Sequence, residues 1–113
     1  MFIRISWGRV DPGKWDQYEA AFREGVAAVG HVEGLRGRIF SRDIDDPDTG
    51  YSVSLWDTAE AMDAYESGPA EREILPRIQP YFGGAFVTNR LEVLMDERYG
   101  PAGAPDRAPS AST

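Results

Sequence analysis

The chain has 113 residues, enough for one ordinary domain, and its 42% hydrophobic and 27% charged residues are globular rather than disordered or fibrous in character. Twelve Lys+Arg against nineteen Asp+Glu leave a net charge of −7, which argues against nucleic acid or an anionic membrane as a partner, since both require a basic face. The absence of cysteine excludes disulfides, thiolate nucleophiles and cysteine-based metal sites.

The chain opens with MFIRISWGRV, which has neither a charged n-region nor an apolar run of leader length. No stretch approaches the roughly 18 apolar residues of a membrane span, so a soluble cytoplasmic protein is expected. Within residues 2–10, Ile3, Ile5 and Trp7 alternate with Arg4, Ser6 and Gly8, the period of a strand, and Asp11-Pro12-Gly13 ends it as a turn. Trp15, Tyr18, Phe22, Val26 and Val29 then recur at helical spacing, with Asp11 as the expected N-cap, Pro12 at the first helical position and Gly30 as the stop. Residues 35–43 and 51–57 read as two strands joined through the turn formers 45–50, an antiparallel hairpin.

Asp57 is the expected cap of a second helix, with Glu60 completing a capping box and Ala59, Met62 and Tyr65 on its apolar side. Ser67-Gly68-Pro69 interrupts it. Ile74, Leu75 and Ile78 mark a further helical piece that Pro76 kinks or restarts and Pro80 closes. Residues 85–95 are the fourth strand. The tail, 98–113, has no aliphatic residue larger than Ala and reads as flexible, leaving residues 1–97 as the domain.

The order β-α-β-β-α-β predicts an α+β, ferredoxin-like fold, a four-stranded antiparallel sheet with its helices on one face. The strand phases put Phe2, Phe40, Trp56 and Phe86 on the uncovered face beside Arg4, Arg36, Arg38 and Arg90. So many aromatics facing solvent predict a homodimer packed sheet to sheet.

The first strand with DPGKWDQYEAAF (11–22), the hairpin into YSVSLWDTAEAMDAY (51–65) and the strand VTNRLEVL (87–94) resemble the dimeric α/β-barrel superfamily and, within it, the antibiotic biosynthesis monooxygenase domain. The resemblance spans roughly residues 1–97 and implies a dimeric α/β barrel. It leaves the activity open, because this fold hosts several chemistries.

Haem-degrading members need an axial histidine on the helix after the third strand, and residues 62–79 contain none. Tyr65 stands where those members carry a tryptophan, and Trp7 lies near their asparagine position. The cofactorless monooxygenases place an Asn, a Trp, a Tyr and an Arg around a phenolate that passes an electron to O2. Against that pattern Trp56 stands at the tryptophan and Arg72 at the arginine, while Ser52 and Met62 replace the amide and the tyrosine. Asn89 and Arg90 are candidates to supply the missing amide and cation.

The resemblance thus implies a cofactor-independent monooxygenase of a small aromatic or polycyclic phenol, with Trp56, Arg72 and Asn89 as catalytic candidates. Trp7, Tyr18, Phe22, Tyr65 and Phe82 are the expected walls of a pocket between helices and sheet. A small-acid enzyme would instead use His31 or Arg72, and a dimeric protein that binds a hydrophobic ligand without turnover is the alternative. Trp56 fits a pocket or a dimer interface, its phase with Ser52 and Ser54 favouring the interface, and His31 fits an exposed turn. Asp43, Asp45, Asp46 and Asp48 miss the EF-hand register, with Asp48 at the sixth position and Ser54 at the twelfth, so they read as an acidic loop and no metal site is assigned.

Overall fold

The computed structural model describes residues 1–101, and alternation and helical spacing become β1 (Phe2–Val10), α1 (Trp15–Val29), β2 (Leu35–Arg42), β3 (Thr49–Trp56), α2 (Ala59–Glu66), α3 (Leu75–Ile78) and β4 (Phe82–Glu92). A π-helical turn, Ala70–Ile74, runs directly into α3, and a 3₁₀ turn, Gln79–Tyr81, carries the chain into β4. The sheet is antiparallel in the order β2-β3-β1-β4. This is the ferredoxin-like arrangement, with its helices on one face. The expected tail lies outside the described residues from position 102 onward.

The caps differ in detail from the sequence expectation. Lys14, not Asp11, is the N-cap of α1; it has no side-chain cap, and the Asp11 carbonyl accepts from Lys14 N at 3.1 Å. The turn at Asp11–Gly13 therefore delays the helix rather than starting it. Thr58, not Asp57, caps α2 by accepting from Ala61 N at 3.1 Å, and Asp57 instead receives a 2.6 Å hydrogen bond from Arg36 Nε. That guanidinium holds the Asp57 carboxyl below the usual range. Gly30 does stop α1, at φ 70°, a left-handed conformation that glycine adopts without strain.

The strand phases are the principal correction. Ser6, Gly8 and Val10 of β1 and Ser54 and Trp56 of β3 are buried beneath the helices. The even-numbered positions of β1 therefore face the core, and Ile3, Ile5 and Trp7 face the uncovered side. Phe2, Phe40 and Trp56 belong to the helix-side core, not the open face. Arg4 and Arg90 turn toward α2, where Arg4 Nε meets Glu66 at 2.7 Å and Arg90 meets Asp63 and, at 3.2 Å, Glu66. Arg38 Nη1 donates to the Tyr65 hydroxyl at 2.9 Å.

The cause lies in the composition of the two faces. Ile3 pairs with Leu55, Ile5 with Val53 and Trp7 with Tyr51, so the outward face is itself apolar. In β1 the inward set centres on Arg4, Ser6 and Gly8 and the outward set on Ile3, Ile5 and Trp7, so alternation groups the residues correctly while the more apolar group lies away from the helices, and a one-residue phase change exchanges every side chain between faces. The arginines on the inner face bury their stems and carry their charges to the carboxylates of α2.

The core is the layer between sheet and helices. Phe40 of β2 stacks on Phe22 with centroids 4.3 Å apart and lies 5.8 Å from Trp15 and 5.7 Å from Tyr18. Trp56, fully buried, lies 5.0 Å from Tyr65 and donates from Nε1 to Ser54 Oγ at 2.8 Å. Gly25 of α1 lets the π-helical turn approach, since a Cβ there would sit 3.0 Å from both the Glu73 carbonyl oxygen and the Ile74 Cα.

Candidate functional site

In-register small residues leave room under the helices. Gly8 pairs with Gly50, Ser6 with Ser52 and Arg4 with Ser54, so adjacent strands present a floor of short side chains. Above it lies a cavity of about 110 Å3. One water needs only about 10–15 Å3 of such space, so a small organic molecule fits better than a lone solvent.

Three of the four strands and the helical segments over them supply the wall. Arg4, Ser6, Trp7 and Gly8 come from β1, Ser52 from β3 and Phe86 from β4. Tyr18 and Phe22 descend from α1, and Tyr65 and Glu66 from α2. Ala70, Glu71 and Ile74 of the π-helical turn, with Leu75 and Ile78 of α3, complete it. Such π segments recur at functional sites.

The charged end is built by Arg4 and Glu66, both partly exposed, and Glu66 is shared with Arg90. Arg4 also lies 5.9 Å from the Tyr65 ring centroid, and Arg38 lies 5.4 Å from it. The serine floor is partly engaged, because the Ser6 and Thr88 hydroxyls share a 2.8 Å hydrogen bond. Apart from Glu71, the remaining wall is aromatic and aliphatic. Burial pushes the Tyr18 phenol up to about 12, so it stays neutral at physiological pH.

Of the five residues expected to wall a pocket, Tyr18, Phe22 and Tyr65 line this cavity from the helices, and Trp7, whose side chain is on the outward phase, borders it. Trp7 does so from between Ser6 and Gly8, and its ring lies 6.4 Å from that of Tyr51. Phe82 is not in the lining; it packs 5.9 Å from Tyr18 and 4.7 Å from Phe86, supporting the wall from behind.

The three catalytic candidates are not gathered there. Trp56 sits behind Tyr65, which settles its open placement in favour of the protomer's own core. Arg72 is exposed on the π-helical turn, with its guanidinium beside Gly68. Asn89 is exposed on β4, opposite Ile5 and therefore on the outward phase. The cation at the cavity is Arg4, which sequence reasoning had assigned to the open face together with Phe86. A sequence signal for it existed: the small-residue runs S-x-G at 6–8 and G-x-S-x-S at 50–54 align across neighbouring strands and mark the side that holds space.

His31 is exposed. The acidic hairpin closes on itself, with Asp43 accepting from the amides of Asp45 and Asp46 at 2.8 and 3.0 Å. Among the described residues no group of three or more His, Asp or Glu side chains is placed to hold a metal. No described helix is long and apolar enough to cross a membrane.

Solved structures share the fold at low identity. A Bordetella bronchiseptica protein that carries the antibiotic biosynthesis monooxygenase name superposes with a TM-score of 0.72 at 18% identity, covering 83% of this chain and 97% of its own. A Caulobacter crescentus protein of the same name gives 0.74 at 17% identity, covering 83% and 90%. A Mycobacterium tuberculosis protein gives 0.72 at 12% identity, covering 84% and 96%. No curated protein matches the sequence. The family model for antibiotic biosynthesis monooxygenase matches residues 1–76, from β1 through α2 into the start of α3, and the chain belongs to that family.

Proposed function

We propose that the protein is a cofactor-independent monooxygenase that oxidises a small aromatic or polycyclic phenol in the cavity between helices and sheet. The observation that supports this most is the cavity itself, aromatic along Tyr18, Phe22, Tyr65 and Phe86, with the Arg4–Glu66 ion pair at its charged end. An apolar pocket with few convergent polar groups suits a flat ring bearing one oxygen.

A phenolate gains from a guanidinium in surroundings where water is scarce, and this helps the electron-rich form to persist and react with O2. The balance needs no external reductant. One oxygen atom enters the substrate as a carbonyl in place of two hydrogens, and the other leaves with those hydrogens as water. Arg4 is the anion-stabilising group in this scheme, and Trp56 holds Tyr65 in the wall. Arg72 and Asn89, both outside the cavity, take no direct part.

The functional unit is a cytoplasmic homodimer. The uncovered face presents Ile3, Ile5, Val53 and Leu55, with Ile39, Val87 and Leu91 exposed, and in-register pairing sets these side chains side by side as one apolar surface of the kind that marks protein–protein contacts.

The test is oxygen uptake with hydroxylated anthrones and naphthols, without added flavin or metal, followed by product mass. Uptake with one oxygen atom gained per product supports the proposal, and Arg4→Ala should lower the rate at least about tenfold, a loss of about 1.4 kcal/mol of transition-state stabilisation. Binding of these phenols without uptake would favour a dimeric ligand-binding protein instead.

A further inference from the structure

Tyr18 carries a polar atom that the fold leaves unused. The residue is only 5% exposed, yet its hydroxyl has no hydrogen-bond partner among the described residues. Every fully enclosed side-chain nitrogen or oxygen in the described structure does have a partner. The Tyr18 hydroxyl therefore keeps accessible surface, and Tyr18 is among the residues that line the cavity. An unpaired buried hydroxyl is costly, which favours a ligand that completes it.

The ring is held firmly enough to aim that hydroxyl. Trp15 packs edge-on at 5.1 Å, with Phe40 at 5.7 Å and Phe82 at 5.9 Å on other sides. The Arg42 guanidinium covers the Trp15 ring at 4.8 Å. Burial also keeps the phenol protonated, which makes it a hydrogen-bond donor rather than a base. Of the other polar groups of the wall, Tyr65 accepts from Arg38, Ser6 is bonded to Thr88 and Arg4 is paired with Glu66, while the carboxylate of Glu71 can only accept, leaving Ser52 as the other hydroxyl without a partner among the described residues.

We infer that Tyr18 Oη is the donor that receives an acceptor oxygen of the bound ligand, so that the cavity selects planar aromatics carrying a phenolic or carbonyl oxygen over the corresponding hydrocarbon. This specificity-determining role rests on the cavity being the ligand site, as proposed above, and not on turnover. A site built to hydrogen-bond an oxygen rejects the analogue that lacks it, because its own polar group is then left unpaired.

The test compares equilibrium binding of 2-naphthol and naphthalene by calorimetry under nitrogen. The unaltered protein should prefer 2-naphthol, and Tyr18→Phe, which keeps the ring and its packing, should weaken 2-naphthol by roughly five- to tenfold, the scale of one neutral hydrogen bond, with naphthalene unchanged. The inference is overturned if the preference survives in Tyr18→Phe, if both probes weaken equally, or if neither binds the unaltered protein. It is overturned also if Ser52→Ala abolishes the preference and Tyr18→Phe does not, since the donor then lies on the sheet floor. Should Tyr18→Phe fail to fold, the Tyr18 Cζ resonance of the unaltered protein serves instead. It should shift with 2-naphthol and not with naphthalene, and a shift with both or neither overturns the inference. Selective binding lost in Tyr18→Phe, together with no oxygen uptake by the unaltered protein, would keep this inference and remove the monooxygenase.

Discussion

Trp56 ends β3 with its ring wholly inside one protomer, against Tyr65 and hydrogen-bonded to Ser54. Removing a large buried aromatic leaves a cavity and strands a buried hydroxyl. Trp56→Ala should therefore cost about 3–5 kcal/mol in urea unfolding. Its oligomeric mass under native conditions should match that of the unaltered chain, which an interface tryptophan would not allow. Tyr18 supplies a second outcome at this scale. Its phenol is raised from 10.0 to about 12 by burial, so the unfolded chain loses that proton first as pH rises. The stability tied to this proton is complete below the unfolded value and falls as pH climbs through 10 toward 12. Tyr18→Phe should flatten that part of the stability profile, measured by urea unfolding at alkaline pH steps.

At the scale of elements, α1 packs closely on the π-helical turn. Gly25 faces the Glu73 carbonyl and Ile74 at a separation no side chain tolerates unshifted. Gly25→Ala would gain helix propensity but push the turn outward, and overpacking of this kind costs about 1–3 kcal/mol. Thermal unfolding should show a net loss. Because Ala70, Glu71 and Ile74 of the same turn line the cavity, ligand affinity should fall with it. Local sequence carried the elements themselves: β1 spans the alternating residues 2–10, and α1 follows its aromatic stripe to Gly30. Cap identities were less legible. Asp57 and Thr58 are both good caps, and the choice fell to Thr58 because Arg36 of β2 engages Asp57. That partner is distant in sequence.

The molecule as a whole has two apolar layers, one under its helices and one uncovered. Ile5 lies near the middle of the open face, between Val53 and Asn89. If a second copy covers this face, Ile5→Asp places a charge where water is excluded. Light scattering should then give the 12.5 kDa of one chain in place of twice that mass. The same two-sidedness made the site hard to see in sequence. Arg4 and Phe86 looked like open-face residues only because Ile3, Ile5 and Trp7 looked like core. The walls contributed by Tyr18, Phe22 and Tyr65 were legible because a helix hides one stripe and shows the rest.

By itself the sequence determined the element order, the hairpin, the ferredoxin-like class and the aromatic stripe of α1, all of which follow from local periodicity and turn chemistry. Tertiary structure alone decided which face of the sheet the helices cover. With that it decided that Arg4 rather than Arg72 reaches the cavity, and that Trp56 packs inside the protomer. The reason is that alternation specifies which side chains share a face. Which of the two faces is buried depends on what packs against it, and here Trp15, Tyr18 and Phe22 of α1 pack on Phe40 while Tyr65 of α2 packs on Trp56.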